Sequence, residues 1–338
     1  MKNILLLLCL SAGLFVAAES RADTIPGDAP PELKRLLGEY RAPDALLTIY
    51  ESGGRLYADG VGLHEMPLRR LNATRFAIDA PSASPEQLSF ELDAKLRPVS
   101  VDAGGTRLQF RDIGRETVQQ IRSGLKADTG GLRAAALAAT PPSEPAAKRA
   151  FDLVDLTTVG PGIKLDIRYA SSRNFLGFPL YERSAAYLQR PAAEALGRVE
   201  HSLESKGYGL LIHDGYRPWF VTKMFWDATP ESAHVFVADP SQGSHHNRGS
   251  ATDLTLYDLK TGKAVEMPGD YDEMSPRSFA DYVGGTSRQR WLRALLRTEM
   301  EAQGFLVYPE EWWHFDYENW SDYAIGTETF SQLSGGGA

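Results

Sequence analysis

Residues 244–253 read Ser-His-His-Asn-Arg-Gly-Ser-Ala-Thr-Asp, and they constrain the backbone more than any other segment of this chain. His246 and Asp253 are seven positions apart, an odd separation that would put them on opposite faces of a straight β-strand. Their side chains can converge only if the backbone turns between them, and Gly249 can supply that turn. We therefore predict that Asp253 opens a strand that continues through 254–257.

A second short motif, Glu-Trp-Trp-His at 311–314, adds a third residue to this pair. His246, Asp253 and His314 together offer two imidazoles and one carboxylate, which is a normal ligand set for catalytic zinc and leaves a fourth position open for water. A lone histidine in a polar loop is more often a surface residue. The second motif favours the metal site, and we predict about one zinc ion per chain.

Acidic residues beside His314 are candidates for a catalytic base. Glu311 lies three positions before His314 and follows Pro309, so a turn or a short helical step would bring both side chains to one side. A water activated by zinc needs a carboxylate that takes its proton and later delivers it to a leaving amine. We assign this part to Glu311, with Glu310 as the competing candidate.

A third motif, Ile-His-Asp-Gly-Tyr-Arg-Pro at 212–218, presents an arginine at the end of a predicted strand. Arg217 follows a glycine turn and stands just before Pro218 starts a helix. Its guanidinium can hold either a substrate carboxylate or the oxyanion that forms when an amide is attacked. Of the nearby histidines, we expect His213 in the core or beside the ligands, and His245 to point outward.

Taken in their order along the chain, the motifs resemble those of the zinc D-alanyl-D-alanine dipeptidase family, which includes the vancomycin-resistance dipeptidase. The wider superfamily includes D,D-carboxypeptidases and the Hedgehog signalling domain. The resemblance runs from about Asp152 to Tyr317. Its motifs are Leu-Asp-Ile-Arg-Tyr-Ala at 165–170, Asn-Phe-Leu-Gly at 174–177, Asp-Gly-Tyr-Arg-Pro at 214–218, Ser-x-His-x-x-Gly-x-Ala-x-Asp at 244–253 and Glu-x-x-His at 311–314.

The resemblance implies a catalytic centre at the matching positions. His246, Asp253 and His314 would bind zinc. Glu311 would be the catalytic base, and Arg217 would stabilise the tetrahedral intermediate. The implied reaction is hydrolysis of D-Ala-D-Ala, or of a closely related D,D-dipeptide, to free amino acids in peptidoglycan metabolism.

The resemblance also implies three substrate contacts. Ser244 and Tyr169 would line the dipeptide pocket, and Asp272, within the segment 271–278, would accept the free ammonium group of the substrate. Burying an unpaired ammonium or carboxylate is costly, so a site that pairs both ends of a dipeptide rejects longer chains.

Two other functions remain open. A D,D-carboxypeptidase or related peptidoglycan hydrolase would have a more open groove and would take peptidoglycan fragments. A non-catalytic cell-wall binding protein would keep zinc as a structural element only, and such a protein has no need of a base at Glu311.

Length and composition limit the number of domains and the kinds of partner. With 338 residues the chain exceeds one average domain, and we predict an α+β fold in two parts. A small antiparallel β-barrel-like domain at 30–125 has turn signals at Gly53-Gly54 and Gly104-Gly105, and an Ala/Pro-rich linker at 126–150 separates it from a zinc peptidase-like domain at 151–331. The net charge of −8, without clustered Lys or Arg, argues against nucleic acid or an anionic membrane as a partner.

The N-terminus is typical of a secretory signal peptide over residues 1–22. Lys2 is followed by an apolar stretch at 4–18, and Ser-Arg-Ala at 20–22 is a small-x-small cleavage motif. The single cysteine, Cys9, lies inside this segment, so the mature chain would contain none. We expect an exported protein that resides in the periplasm and has no membrane attachment after cleavage.

Overall fold

The computed structural model describes residues 25–79, 86–125, 128–144 and 148–335. The predicted signal peptide at 1–22 lies outside these residues. Within the described ranges, no helix combines the length and the apolar character that crossing a membrane requires.

Eight antiparallel strands near the N-terminus close into a barrel in chain order, because the last strand pairs back onto the first. They are β1 (Gly38–Ala42), β2 (Ala45–Ser52), β3 (Arg55–Gly60), β4 (Leu63–Arg70), β5 (Arg75–Ile78), β6 (Gln87–Leu92), β7 (Pro98–Ala103) and β8 (Thr106–Arg111), preceded by helix α1 (Pro31–Lys34). Side chains alternate across each strand, and the inward ones form an apolar core that includes Leu47, Leu88 and Val101. The predicted antiparallel barrel is confirmed.

Two helices follow the barrel: α2 (Ile113–Gly124) and α3 (Thr129–Ala138). Asp112 and Asp128 cap their N-termini by accepting a backbone N–H. Ile121 of α2 and Ala136 of α3 are buried in the apolar core of the C-terminal part of the chain, not in the barrel core. The predicted domain limits put α2 in the β domain and α3 in a linker. The structure differs here because each helix has an apolar face, which packs on the larger domain.

The C-terminal domain is built around β-sheets. Its strands are β9 (Leu153–Asp155), β10 (Ile163–Leu165), β11 (Tyr187–Gln189), β12 (Tyr208–Asp214), β13 (Ala251–Asp258), β14 (Phe305–Tyr308) and β15 (Glu311–Tyr317). Five of them form one sheet in the order β10-β12-β13-β15-β14, in which the first pair is parallel and the others are antiparallel. A separate two-stranded sheet joins β9 to β11.

Helices cover this sheet with their apolar faces. They are α4 (Arg190–Glu204), α5 (Trp219–Ala228), α6 (Ser287–Glu301) and the terminal α7 (Phe330–Gly335). Helix α4 buries Leu196 and Leu203, which lie on one face of a helix with a period of 3.6 residues, and α6 buries Leu292 and Met300 in the same way.

The barrel contacts the C-terminal domain through polar groups. The Tyr282 hydroxyl donates a hydrogen bond to the buried carboxylate of Glu39. The Glu51 carboxylate accepts from the Ser287 backbone N–H at 2.8 Å, and Arg290 Nη2 donates to the Glu51 carbonyl at 2.7 Å. Burial raises the pKa of Glu39, and the hydrogen bond from Tyr282 opposes that effect.

Candidate active site

His246, Asp253 and His314 converge at one end of the five-stranded sheet. His246 Nε2 lies 3.2 Å from Asp253 Oδ1 and 3.1 Å from His314 Nδ1, and His314 Nδ1 lies 3.1 Å from Asp253 Oδ1. These three atoms could ligate one metal ion. A tetrahedral site with bonds of about 2.0 Å has ligand atoms about 3.3 Å apart. The donor types and their spacing therefore fit zinc.

Local backbone structure places His246. It lies on a 3-10 turn, His245–Arg248, that ends at Gly249 with a φ of +68°. This left-handed conformation favours glycine, because a Cβ would be strained there. The turn that the sequence predicts is therefore present, although β13 begins at Ala251, two residues before Asp253.

Strand pairing places the other two ligands. Asp253 of β13 stands directly opposite His314 of β15. The pairing between β14 and β15 is irregular, because Val307 pairs with Phe315 whereas the next residue, Tyr308, pairs with Glu311. The extra residues of β15 bring Glu311 Oε2 to 3.6 Å from His314 Nδ1. The sequence predicted a turn or a helical step here, whereas the structure has an irregular strand.

Each imidazole ligand has a second partner on its other nitrogen. His246 Nδ1 lies 2.7 Å from the Gly215 carbonyl oxygen, and His314 Nε2 lies 2.9 Å from Asp316 Oδ1. Both partners accept a hydrogen bond from the ring N–H, which fixes the tautomer and leaves the inner nitrogen free for a metal. His245 Nδ1 is 2.7 Å from the same Asp316 oxygen. His245 is thus half-buried and bonded to a residue of the site, and the prediction that it points outward is wrong.

Arg217 is a buried cation with a matched anion. Its Nε donates to Asp214 Oδ2 at 2.8 Å, and its Nη2 lies 3.5 Å from Asp253 Oδ2. The guanidinium carbon lies 4.8 Å from the centre of the Phe225 ring and 5.5 Å from that of Tyr169. A charge this deeply buried needs a partner, and the pairing with Asp214 holds the guanidinium in one place at the cavity wall.

Burial changes the pKa of two carboxyl groups of the site. Burial raises the pKa of Glu311 to about 8 and that of Asp272 to about 7. The positive charge of a bound metal ion would lower the pKa of Glu311. Asp272 Oδ1 accepts a hydrogen bond from the Tyr169 hydroxyl at 2.8 Å, whereas its buried Oδ2 has no partner among the described residues. Such an oxygen is a natural acceptor for a cationic group.

One cavity of about 180 Å³ joins these groups. The eight residues to which the sequence assigns a role in metal binding, catalysis or substrate binding all line it: Tyr169, Arg217, Ser244, His246, Asp253, Asp272, Glu311 and His314. Aromatic and aliphatic side chains, among them Phe175, Phe225 and Val237, form the remaining wall. The competing base Glu310 does not line this cavity. The structure thus brings the predicted residues together, and their individual roles stay predictions.

Sequence reasoning missed three supporting side chains. The Tyr271 hydroxyl donates to Asp253 Oδ2 at 3.0 Å, Asp214 holds Arg217, and Asp316 holds His314. A signal for Asp316 was available, because residues two apart in a strand face the same side. Asp214 gave a local signal as well, because it stands three residues before Arg217 in the same motif. Tyr271 is brought to the site by tertiary structure, and we see no local signal for its role.

Comparison with known proteins identifies the family. A profile of peptidase family M15, D-ala-D-ala dipeptidase, matches residues 149–330. The chain is 33% identical to the D-alanyl-D-alanine dipeptidase of Escherichia coli K12 over 180 residues, which cover 53% of this chain and 92% of that protein. It is 36% identical to the enzyme of the same name from Enterococcus faecium, over 46% of this chain and 85% of that protein.

A solved structure of the LdcB LD-carboxypeptidase is 18% identical, with a TM-score of 0.29 over 55% of this chain and 71% of that chain. A TM-score this low does not establish a shared fold. The profile match and the sequence relatives agree with the His-Asp-His cluster, and the chain belongs to the D-alanyl-D-alanine dipeptidase family of metallopeptidases.

Proposed function

We propose that this protein is a zinc dipeptidase that hydrolyses D-alanyl-D-alanine, or a closely related D,D-dipeptide, to free amino acids. One observation carries the proposal: a single small cavity is lined by the metal-ligand cluster, by Glu311 and by an unpaired oxygen of Asp272. Zinc would be held by His246, Asp253 and His314. When bound, it supplies a Lewis acid for the scissile carbonyl and for the attacking water.

Glu311 moves the proton. Its Oε2 lies beside the ligand atom of His314, so it is within reach of a water that enters the open side of the cluster. The carboxylate takes the proton of that water as the carbonyl carbon is attacked and gives it to the nitrogen of the leaving amino acid.

Arg217 stabilises the negative charge that develops on the carbonyl oxygen. Its guanidinium is fixed by Asp214 and by the aromatic faces of Tyr169 and Phe225, so it needs no reorganisation during the reaction. Donors held in place in this way stabilise a transition state more effectively than mobile ones.

Asp272 recognises the free amino group of the substrate and so selects dipeptides that carry one. Its Oδ2 is buried and accepts no hydrogen bond from the described residues, and an ammonium group would satisfy it. An N-acylated peptide has no such charge and would leave the carboxylate unpaired, which is costly in a buried site. This contact therefore favours a dipeptidase over a carboxypeptidase that acts on longer chains.

The cellular setting is a further part of the proposal. Residues 1–22 have the charge, apolar and cleavage regions of a signal peptide, and they support export to the periplasm and a link to peptidoglycan metabolism. N-terminal sequencing of the chain recovered from a periplasmic extract tests this part, and a chain that retains Met1 in the cytoplasmic fraction would contradict it.

The enzymatic proposal is tested with purified protein loaded with zinc. We expect release of free D-alanine from D-Ala-D-Ala and much less from N-acetyl-D-Ala-D-Ala or from longer muropeptides. Turnover of the longer peptides alone would indicate a carboxypeptidase. Cell-wall binding without any turnover would indicate a binding protein.

A pair of neighbouring variants tests the base. Glu311→Gln should keep its zinc and lose activity by about 10²- to 10⁴-fold, the usual contribution of a general base. Glu310→Gln, the matched control, should retain activity because Glu310 does not line the cavity. Full activity in a zinc-loaded Glu311→Gln protein would refute the mechanism.

A further inference from the structure

We infer that helix α2, which precedes the family match, positions Asp272 for recognition of the substrate's amino group, and that Gly114 is the positioning residue. This inference rests on the proposed function. The match to the dipeptidase family starts at residue 149, so α2 lies outside the matched residues.

The first contact joins α2 to the segment that carries Asp272. Gly114, in the first turn of α2, packs directly against the side chain of Glu273. A Cβ at Gly114 would lie 2.9 Å from Glu273 Oε1 and 3.0 Å from its Cδ, and it would overlap Cγ. Asp112, the N-cap of α2, also reaches this segment, since its Oδ1 lies 3.6 Å from Arg277 Nη2.

Glu273 organises the loop around Asp272. Its Oε2 accepts from the Asp270 backbone N–H at 2.9 Å, and its Oε1 accepts from Ser275 Oγ and from Arg277 Nε, both at 2.6 Å. Asp272 itself has a φ of +60°, a left-handed conformation that a non-glycine residue adopts only when its surroundings hold it. A shift of the Glu273 side chain therefore acts on the next residue of the loop.

The second contact supports another segment that lines the cavity. Arg122, near the end of α2, donates from Nε to the Phe175 carbonyl at 3.1 Å and from Nη2 to the Asn174 carbonyl at 2.6 Å. Phe175 and Asp272 both line the active-site cavity. Helix α2 thus contacts two segments that contribute residues to the cavity wall, and none of its own residues lines the cavity.

Two alanine substitutions in the same helix test this role. Gly114→Ala places a Cβ against Glu273, whereas Gly124→Ala has no atom within 4 Å of its Cβ and is the matched control. Both substitutions bring the same change in helix propensity. The readouts are kcat and KM for D-Ala-D-Ala, together with the inhibition constant of N-acetyl-D-Ala-D-Ala, which has no ammonium group.

For Gly114→Ala we expect KM for D-Ala-D-Ala to rise about tenfold, as for loss of one charged hydrogen bond, with little change in kcat. The inhibition constant of the acetylated dipeptide should stay unchanged, and Gly124→Ala should match the wild type. Wild-type constants in Gly114→Ala would overturn the inference, and so would a fall in kcat alone, which indicates only a loss of folded protein.

If Gly114→Ala does not fold, Glu273→Gln replaces it, because glutamine keeps the outline of the side chain and removes its charge toward Arg277. The same rise in KM is expected, and an unchanged KM would overturn the inference. A wild-type protein that cleaves no dipeptide overturns the proposed function and this inference together. If the wild-type enzyme is active but Gly114→Ala and Gly124→Ala have the same KM for D-Ala-D-Ala, the inference is overturned and the proposed function is not.

Discussion

Replacing Asp316 with asparagine is expected to weaken zinc binding about tenfold. Asp316 Oδ1 accepts from His314 Nε2 at 2.9 Å and from His245 Nδ1 at 2.7 Å, and the side chain is only 16% exposed. An asparagine oxygen can accept both hydrogen bonds, so this substitution removes the charge and keeps the shape. A hydrogen bond to a charged group is worth about 1 to 1.5 kcal/mol more than a neutral one, which corresponds to about a tenfold change in affinity.

The alanine variant removes the hydrogen bonds as well as the charge. We expect Asp316→Ala to weaken zinc binding about 100-fold, the upper end of the range for residues that orient a metal ligand. Competition with a chelating dye at fixed pH measures both affinities. Asp322→Asn is the control, because that carboxylate is 45% exposed and pairs with Arg149 at the surface. Wild-type zinc affinity in folded Asp316→Ala protein would refute the reasoning.

Three further predictions concern the substrate, the core and the domain interface. Asp272→Asn should raise KM for D-Ala-D-Ala about 10- to 100-fold at unchanged zinc content, and steady-state kinetics that show no such rise would contradict the ammonium contact. Leu196→Ala, at a fully buried position of α4, should lower the free energy of unfolding by about 2 to 5 kcal/mol in urea titrations, whereas a loss below 1 kcal/mol would mean that the site repacks. Glu39→Gln should raise the melting temperature at about pH 7.5, because burial raises the pKa of Glu39 and ionisation therefore costs more in the folded chain. The difference should shrink as the pH falls towards 4.5, the ordinary value for this carboxyl group, and a difference that grows on acidification would contradict it.

Local sequence patterns predict much of the barrel. Gly53-Gly54 and Gly104-Gly105 join strands at tight turns, with positive φ at all four glycines, and the strands on either side of each turn pair in antiparallel fashion as expected. Strand β4 has no clear local strand pattern, because it contains Pro67 and buries only Leu63 and Leu68. Its position in the barrel depends on pairing with both neighbours, which a local pattern does not contain.

The chemistry of the site was predictable where residue types were restrictive. Two histidines and an aspartate in spaced motifs identified the ligand cluster. The route by which Glu311 reaches His314 was not predictable, since it depends on the register between β14 and β15. Contacts such as that of Gly114 with Glu273 join residues far apart in the chain and become visible only in three dimensions.

The packing of α2 and α3 on the C-terminal core determines where the chain can be cut. A fragment that starts at residue 149, where the family match begins, lacks Ile121 and Ala136 and exposes the apolar surface that they cover. Such a surface promotes aggregation. A soluble catalytic fragment should begin ahead of Asp112, so the smallest independent unit of this enzyme is larger than alignment with its relatives suggests.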